Sequence, residues 1–328
     1  MENTETAFEP WLHRFAKLVA TSTFLLIFIG GLVTSTGSGL AVPDWPTTYG
    51  HFMFSFPLSQ MVGGILYEHG HRMVASVVGL LTVVLVVWLW LKERRRWVKW
   101  LGTGALLAVI AQGVLGGITV LLRLPTSISV FHGCLAQAFF VMTIALAMLT
   151  SKEWLNQSER AVPDLSKPGI VNLAILTTCV VYLQLILGAI MRHSGAGLAI
   201  PDFPLAFGKL IPPIHSRAVA IHFLHRVGAV LVTASVIGTV AQIYRHHRTQ
   251  PRLLKPAHVL LAALVCQIVL AALTIWSRKA VLPTTAHVAT GAFILATSLF
   301  LTLRAHRLLA GKEREVEQPY LVGQTTPS

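Results

Sequence analysis

The sequence is poor in charge, in acids and in cysteine. Only 12% of its 328 residues are charged, about half the usual share in a soluble domain, whereas 54% are hydrophobic. This composition excludes an ordinary soluble enzyme, and it excludes intrinsic disorder, which requires low hydrophobicity. The three cysteines, Cys134, Cys179 and Cys266, show no CxxC or metal-type spacing, so no disulfide framework is expected. Each lies in an apolar run, where a small buried side chain is expected.

Long hydrophobic runs are present instead. A helix needs about 20 apolar residues to cross a bilayer, and eight runs meet this length. They lie near 16–36, 64–91, 98–121, 128–150, 170–192, 218–244, 256–277 and 283–304. The first run lacks a small-residue cleavage site at its end, so it is interpreted as a retained span and not as a signal peptide. The sequence therefore predicts an all-α integral membrane protein with eight transmembrane helices.

The few charges are mostly basic, with 26 Lys and Arg against 13 Asp and Glu. Eight spans place both termini on one side of the membrane. Two cations lie within spans, and six lie on the side opposite the termini: Arg123, Arg192, Lys209, Arg217, Arg278 and Lys279. The other 18 flank the loops and tails on the side of the termini, which predicts cytoplasmic termini in a multi-pass protein of the cell inner (plasma) membrane. The basic balance thus indicates a lipid bilayer and no nucleic-acid partner.

The chain repeats itself. Residues 37–46 return as residues 195–204, at an offset of 158, and both copies contain Pro-Asp-aromatic-Pro. Three further landmarks recur in the same order at offsets of 154 or 155. They are His71-Arg72 with His225-Arg226, Gln112 with Gln267, and His132 with His287. Four spans per repeat predict two tandem four-helix bundles, residues 1–155 and 156–328, related by a pseudo-twofold axis along the membrane normal.

Four histidines fall within spans at matched positions of the two halves. His71 and His132 are expected at similar depth on two helices of the first bundle, and His225 and His287 repeat this arrangement. Ionisable side chains inside a membrane are rare and usually functional. Two facing imidazoles in a bundle core are suitable axial ligands for a haem iron, while interhelical hydrogen bonding is the structural alternative. The duplication favours haem, and zinc is less favoured because it would need more ligands nearby.

Glu68 is the one acid within a predicted span, since the others lie in tails and loops. It precedes His71 by three residues, so both lie on one helix face, and His222 replaces it in the second half. A structural carboxylate would pair with Arg72 or cap the second helix. The functional interpretation is a reactive first half and a spectator second half, with Glu68 accepting a proton or stabilising positive charge beside a bound porphyrin.

Arg72 and Arg226 follow the first histidine of each half directly. They lie toward the outer leaflet in the predicted topology. We therefore expect these two cations to pair with haem propionates, each in its own half.

Taken together, these motifs resemble the haem A synthase family over about residues 12–305. The motifs are Glu68-x-x-His71-Arg72, the second-half His225-Arg226, His132 and His287, and the Gly-Leu-x-x-Pro-Asp-Trp-Pro outer loop on eight spans. The resemblance departs at one place. Many bacterial members carry a cysteine pair in the first outer loop, where this chain has Val42 and Thr48. No role of that disulfide transfers.

The resemblance implies oxidation of the C8 methyl group of haem O to the formyl group of haem A. The family outline is successive hydroxylation to a gem-diol that loses water. By resemblance, the first half holds the substrate haem on His71 and His132, with Glu68 as the catalytic carboxylate. The second half holds a haem b cofactor on His225 and His287. Haem O synthase (protohaem farnesyltransferase) and an electron-transfer protein are the partners expected besides the substrate.

Two other functions remain open from the residues. A duplicated bis-His b-type membrane cytochrome that carries electrons explains the four histidines equally well, but it does not predict the replacement of Glu68 by His222. A non-enzymatic haem carrier would need an open axial position and a translocation route, and the sequence shows neither clearly.

Overall fold

A computed structural model describes residues 7–155, 164 and 166–309 of the chain. Within that part it forms α-helices and short 3-10 turns, and no β-strand. The helices are α1 (Pro10–Ser35), α2 (Gly64–Lys92), α3 (Arg96–Leu121), α4 (Thr126–Leu149), the single turn α5 (Lys152–Leu155), α6 (Ile170–His193), α7 (Arg217–His246), α8 (Pro251–Trp276) and α9 (Val281–Leu309). All except α5 are long and apolar enough to cross a membrane. The predicted all-α fold with eight spans is confirmed.

Some of the sequence predictions concern residues outside the described part. Three of the 18 cations assigned to the cytoplasmic side, Arg160, Lys312 and Arg314, lie there. The predicted start of the second unit at residue 156 lies there as well. The described remainder of the chain is sufficient to follow both sets of four helices.

The helices begin where the local sequence supplies what a helix start needs. Pro10 and Pro251 open α1 and α8, where a missing backbone N–H costs no hydrogen bond. Ser216 precedes α7, and its hydroxyl accepts the N–H of Val219 at 3.2 Å, which satisfies one of the free donors of the first turn.

Two short turns of the same form join α3 to α4 and α8 to α9. Each contains two consecutive left-handed residues, Arg123 and Leu124 in the first and Arg278 and Lys279 in the second. A left-handed non-glycine residue costs of order 1 kcal/mol. The cost is accepted at equivalent positions in both halves, where it reverses the chain direction within a few residues.

The long helices pack in two rings of four. In the first ring α1 and α3 each contact both α2 and α4, and in the second ring α6 and α8 each contact both α7 and α9. Apolar side chains such as Leu85 and Leu146 fill the first ring, and Val236 and Leu295 fill the second. Helices α1 and α4 meet α6 and α9 between the rings. The contacts are those that a twofold axis would generate, and the axis itself stays a prediction.

A group of hydrogen bonds connects α1 of the first ring with α6 and α9 of the second. The Arg192 guanidinium at the end of α6 donates to the Gly31 carbonyl of α1 at 3.0 Å and to the Ser35 hydroxyl at 2.9 Å. Thr285 of α9 donates to the same Ser35 hydroxyl at 2.9 Å. Three helices, two from the second ring and one from the first, therefore meet at one hydroxyl group.

The prediction of buried cysteines is wrong for two of the three. Cys179 and Cys266 are exposed on the protein surface, and Cys134 is half-buried. The error has a physical cause, because an apolar run in a membrane helix has side chains facing lipid as well as side chains facing the protein core.

The repeated segments before α2 and α7, which the predicted topology places on the outer side, fold into matching turns. The Asp44 carboxylate accepts the N–H groups of Tyr49 and Gly50 at 2.8 and 2.9 Å. Asp202 accepts the N–H groups of Phe207 and Gly208, both at 2.8 Å. The two glycines have φ near +75°, a conformation that only glycine adopts without strain.

The first of these turns resists acid. Burial acts to raise the pKa of Asp44, but hydrogen bonds from Gly50, Thr47 and Tyr49 outweigh it and lower the pKa to about 2. A carboxylate with a lowered pKa stabilises the folded state above its ordinary pKa. That contribution is lost only as the pH falls through about 2, so the turn is intact throughout the physiological range.

Candidate functional site

The first ring brings His71 and His132 together, as the sequence predicts. His71 lies on α2 and His132 on α4, and their rings are close enough to interact electrostatically. A glycine of a neighbouring helix lies against the imidazole of each histidine. A Cβ atom on Gly30 of α1 would lie 3.1 Å from His71 Nε2, and one on Gly116 of α3 would lie 3.3 Å from His132 Cε1. All four helices of the ring thus take part in one site.

The second ring repeats the arrangement with His225 on α7 and His287 on α9, which also interact electrostatically. A Cβ atom on Gly188 of α6 would lie 3.1 Å from His225 Cε1. Gly188 follows Gly30 by 158 residues, the offset of the outer loops. On α8, Gln267 brings its side-chain amide nitrogen to 3.5 Å from His287 Nε2.

The residues present fit a haem. In both rings a buried imidazole nitrogen, His132 Nδ1 or His287 Nδ1, has no hydrogen-bond partner. The side-chain oxygens of Gln112 and Gln267 are buried without a partner too. Buried polar groups are normally satisfied, so an unpartnered ring nitrogen at matched positions calls for an explanation. A pair of imidazoles is the donor set of a bis-histidine haem iron.

A zinc site is not supported by the described residues. Within residues 7–155, 164 and 166–309 no group of three or more His, Cys, Asp or Glu side chains is placed to hold a metal ion. The histidines occur in pairs, which suits a metal whose other ligands belong to a macrocycle.

Glu68 is buried, with 4% of its surface exposed, and both of its carboxylate oxygens are engaged. Oε1 accepts from the Arg72 guanidinium at 2.6 Å, and Oε2 accepts the N–H of Val42 at 2.8 Å. The structural contact that the sequence suggested for this carboxylate, a pair with Arg72, is present. The carboxylate also lies three residues before His71, so it joins the outer loop to the histidine site.

His222 takes the equivalent contact in the second half. The N–H of Ile200 donates to His222 Nδ1 at 3.2 Å, and Ile200 is the repeat partner of Val42. Both side chains therefore hold the same loop N–H. They differ in charge, because Glu68 is an acid paired with a cation and imidazole is a neutral acceptor when it accepts at Nδ1.

The arginines hold the outer loops by main-chain carbonyls. Arg72 donates to the carbonyl oxygens of residues 42, 44 and 47 at 2.7 to 3.1 Å. Arg226 donates to those of residues 200, 202 and 205 at 2.6 to 3.3 Å. Each acceptor in the second set follows its counterpart by 158 residues. The expected pairing with propionates stays a prediction, and the contacts present give both arginines a role in fixing the loops.

One further difference lies beside Glu68. His69 Nδ1 is 3.0 Å from the Thr48 hydroxyl, and both side chains are buried. The second half has Phe223 and Ala206 at these positions, and both belong to a small apolar cluster. A polar contact under the first loop is thus replaced by an apolar one under the second, so the polarity difference between the halves extends beyond one residue.

Some site residues were missed by the reasoning from sequence. Gly30 and Gly188 lie against the histidines, and their common offset of 158 was the signal that could have found them. Gln184 contacts His225, and its partner position is Leu26, so the repeat gave no signal there. Arg192 was counted only as an outer-side cation, although it joins the two rings.

Comparison with known proteins gives a family and a set of relatives. The model of the COX15-CtaA family, described as cytochrome oxidase assembly protein, matches residues 13–299. A protein of Symbiobacterium thermophilum named heme A synthase is 35% identical over 238 residues, covering 68% of this chain and 73% of its own. Proteins of the same name are 29% identical in Halalkalibacterium halodurans, covering 73% and 80% of the two chains, and 24% identical in Geobacillus kaustophilus, covering 90% and 94%.

Proposed function

The chain belongs to the COX15-CtaA family of cytochrome oxidase assembly proteins, and from this premise we propose that it is a haem A synthase. It is a multi-pass membrane oxidoreductase that acts on a methyl group of haem O, as the name shared by its relatives indicates. The observation that carries the proposal is the doubled histidine pair with a carboxylate beside only one copy. A protein that only carries electrons would need both histidine pairs, but it would not need a carboxylate beside one pair and none beside the other.

We assign the substrate to the first half, residues 1–155, and a haem b cofactor to the second, residues 156–328. His71 and His132 would hold haem O, and His225 and His287 would hold haem b. Glu68 supports this division, because a buried acid beside a histidine pair occurs in the first ring and His222 occupies its place in the second. When bound, haem b supplies one-electron redox chemistry.

The chain's own residues bind and orient the substrate and handle protons. Oxidising a methyl group removes hydrogen, so a group that accepts a proton or stabilises positive charge is needed beside the substrate. We propose Glu68 for this role. Arg72 and the N–H of Val42 fix its two oxygens, which keeps the carboxylate at a defined position one turn from His71. The loop that these contacts hold covers the outer end of α2.

The proposal extends to location and partners. The excess of cations at one set of helix ends supports cytoplasmic termini in the plasma membrane. Haem O synthase would supply the substrate, and an electron-transfer partner would accept the electrons removed from it.

Pigment analysis tests the function. The protein is expressed together with a haem O synthase, and the haems are extracted and separated. Haem A, or the singly hydroxylated intermediate, is expected in the extract and absent when the gene is omitted. A preparation in which haem b remains bound but neither product forms would contradict the proposal and favour an electron carrier.

A further inference from the structure

The two rings also differ at a pair of facing positions near the first histidine of each half. Leu26 on α1 and Val74 on α2 contribute to the apolar core of the first ring. Their repeat partners, at the offsets of 158 and 154 found for these helices, are Gln184 and Gly228. The first half thus has a leucine and a valine at these positions, and the second half has a glutamine and a glycine.

As a result of this exchange, the side-chain amide of Gln184 contacts His225. Gln184 Nε2 lies 2.8 Å from the His225 carbonyl oxygen, 3.1 Å from its Nδ1 and 3.5 Å from its Nε2. A Cβ atom at position 228 would lie 2.0 Å from Gln184 Oε1, so glycine there is what admits the longer polar side chain. Gln184 Oε1 itself is buried and has no hydrogen-bond partner.

A hydrogen-bond partner on a metal-binding histidine has known consequences. An imidazole that binds a metal through one nitrogen presents the other to its surroundings, and the partner found there fixes the ring orientation and changes the basicity of the ligand. For a haem iron these changes alter the reduction potential and the ligand field. The Gln184 amide nitrogen is a donor, and it donates to the His225 carbonyl while lying against both ring nitrogens.

We propose that Gln184 is a positioning residue for His225, an inference that rests on the proposed haem b ligand set. It orients the imidazole from the side of α6 and sets the electronic properties of the second-half haem. Leu26 offers no such group to His71. The protein therefore treats its two haems differently through the surroundings of the ligands as well as through Glu68.

The test transplants the first-half pair into the second half. The double variant Gln184→Leu with Gly228→Val introduces the residues that the first half has at these positions, Leu26 and Val74, and removes the amide. The full-length protein is purified with its haem from cells that lack haem O synthase. The haem content, the electron paramagnetic resonance signal of the ferric haem and the midpoint potential are then measured.

The double variant is expected to retain haem, with a shifted resonance signal and a shifted midpoint potential. Leu26→Met is the matched control, because it alters packing at the equivalent first-half position, and it should leave both readouts of the second-half haem unchanged. If the double variant does not fold, Gln184→Met, which has a similar length and keeps Gly228, is expected to give the same shifts.

Wild-type resonance and potential in the Gln184 variants would overturn the role of Gln184, provided that His225→Met alters the spectrum in the same preparation. A spectrum unaffected by His225→Met would overturn the proposed ligand set and this inference with it. The two failures are therefore distinct.

Discussion

At the scale of residues, Glu68 and His222 show how one position serves two purposes. Each accepts the N–H of the residue that begins the outer turn, Val42 or Ile200. Only Glu68 brings a negative charge and a cationic partner, Arg72. The contact with the loop needs an acceptor, whereas the proposed chemistry needs a charge. A substitution that keeps the acceptor and removes the charge separates these two roles.

Glu68→Gln is such a substitution. The amide oxygen can still accept from Val42, so the loop contact remains, but the group no longer takes up a proton at neutral pH. Haem A production should fall at least about 100-fold, the usual contribution of a general acid or base, while haem b stays in the second half. Extracted haems are measured for product, and the absorption spectrum reports bound haem b.

The matched control is His222→Gln, which changes the same position in the other half and should leave haem A production largely intact. Full activity in Glu68→Ala would remove Glu68 from the mechanism.

The proposed cofactor ligands have their own test. His225→Met or His287→Met replaces an imidazole with a thioether, which raises the reduction potential of a haem iron. Each variant should therefore shift the absorption spectrum and raise the midpoint potential of the bound haem b. The His222→Gln variant should leave the absorption spectrum unchanged. An unaltered spectrum in both methionine variants would mean that the ligands lie elsewhere.

The sequence singled out the four histidines as candidate site residues because they recur between the two halves at nearly constant offsets. It singled out Glu68 because the second half has His222 at the equivalent position. It could not predict what Arg72 and Arg226 hold. Their acceptors are main-chain carbonyls, and a carbonyl leaves no mark in a sequence. The contact of Gln184 with His225 could not be predicted for a related reason. It depends on Gly228, a residue of another helix that leaves space for the glutamine side chain.

At the scale of elements, the existence of the eight long helices was predicted more accurately than the residues at which they begin and end. The apolar run near 256–277 matches the end of α8 at Trp276 to within one residue, but α8 begins five residues earlier at Pro251. The run near 283–304 lies within α9, which continues to Leu309. Hydropathy identifies the residues suited to lipid. Helix ends depend instead on capping and on polar residues that continue the helix into water, as Arg252 and Lys255 do.

The contacts of Arg226 with main-chain carbonyls predict that the second loop becomes more mobile when this arginine is replaced. Arg226→Leu removes three hydrogen bonds from a charged donor to the second loop, each of which contributes about 1.5–3 kcal/mol when well formed. Loss of even one should accelerate amide hydrogen exchange in residues 200–209 about tenfold. Mass spectrometry measures the exchange, and residues 42–51 of the first loop are the internal control.

The haem content of the same variant tests the propionate expectation. Faster exchange with haem retained would leave Arg226 as a residue that fixes the loop. Loss of haem from the second half alone would support a pairing with propionates. Unchanged exchange would contradict the role drawn from the carbonyl contacts.

At the scale of the whole molecule, a half-buried cation takes part in the joint between the two rings. Arg192 binds a carbonyl and a hydroxyl of α1, and Ser35 also binds Thr285 of α9. Arg192→Leu should reduce the free energy of unfolding by about 2 kcal/mol or more, because it removes two charge-assisted hydrogen bonds. Thermal unfolding of the purified protein measures the loss as a lower melting temperature.

Arg123→Leu is the control for that experiment, since Arg123 is exposed in the turn between α3 and α4. Its melting temperature should match that of the wild type. Equal melting temperatures for Arg192→Leu and Arg123→Leu would mean that the other contacts between the rings, such as those of Phe140 with α9 and of Tyr182 with the Cys134 carbonyl, hold the rings together.

The carbonyl anchorage of the outer loops has a consequence for the environment in which the protein can work. Every residue carries a carbonyl, so the contacts of Arg72 with residues 42, 44 and 47 can form whatever side chains those residues carry. The first loop accordingly keeps its form with Val42 and Thr48 buried where many family members have a cysteine pair. Because the first loop contains no cysteine, a change in thiol–disulfide balance should leave the shape of this loop unaffected.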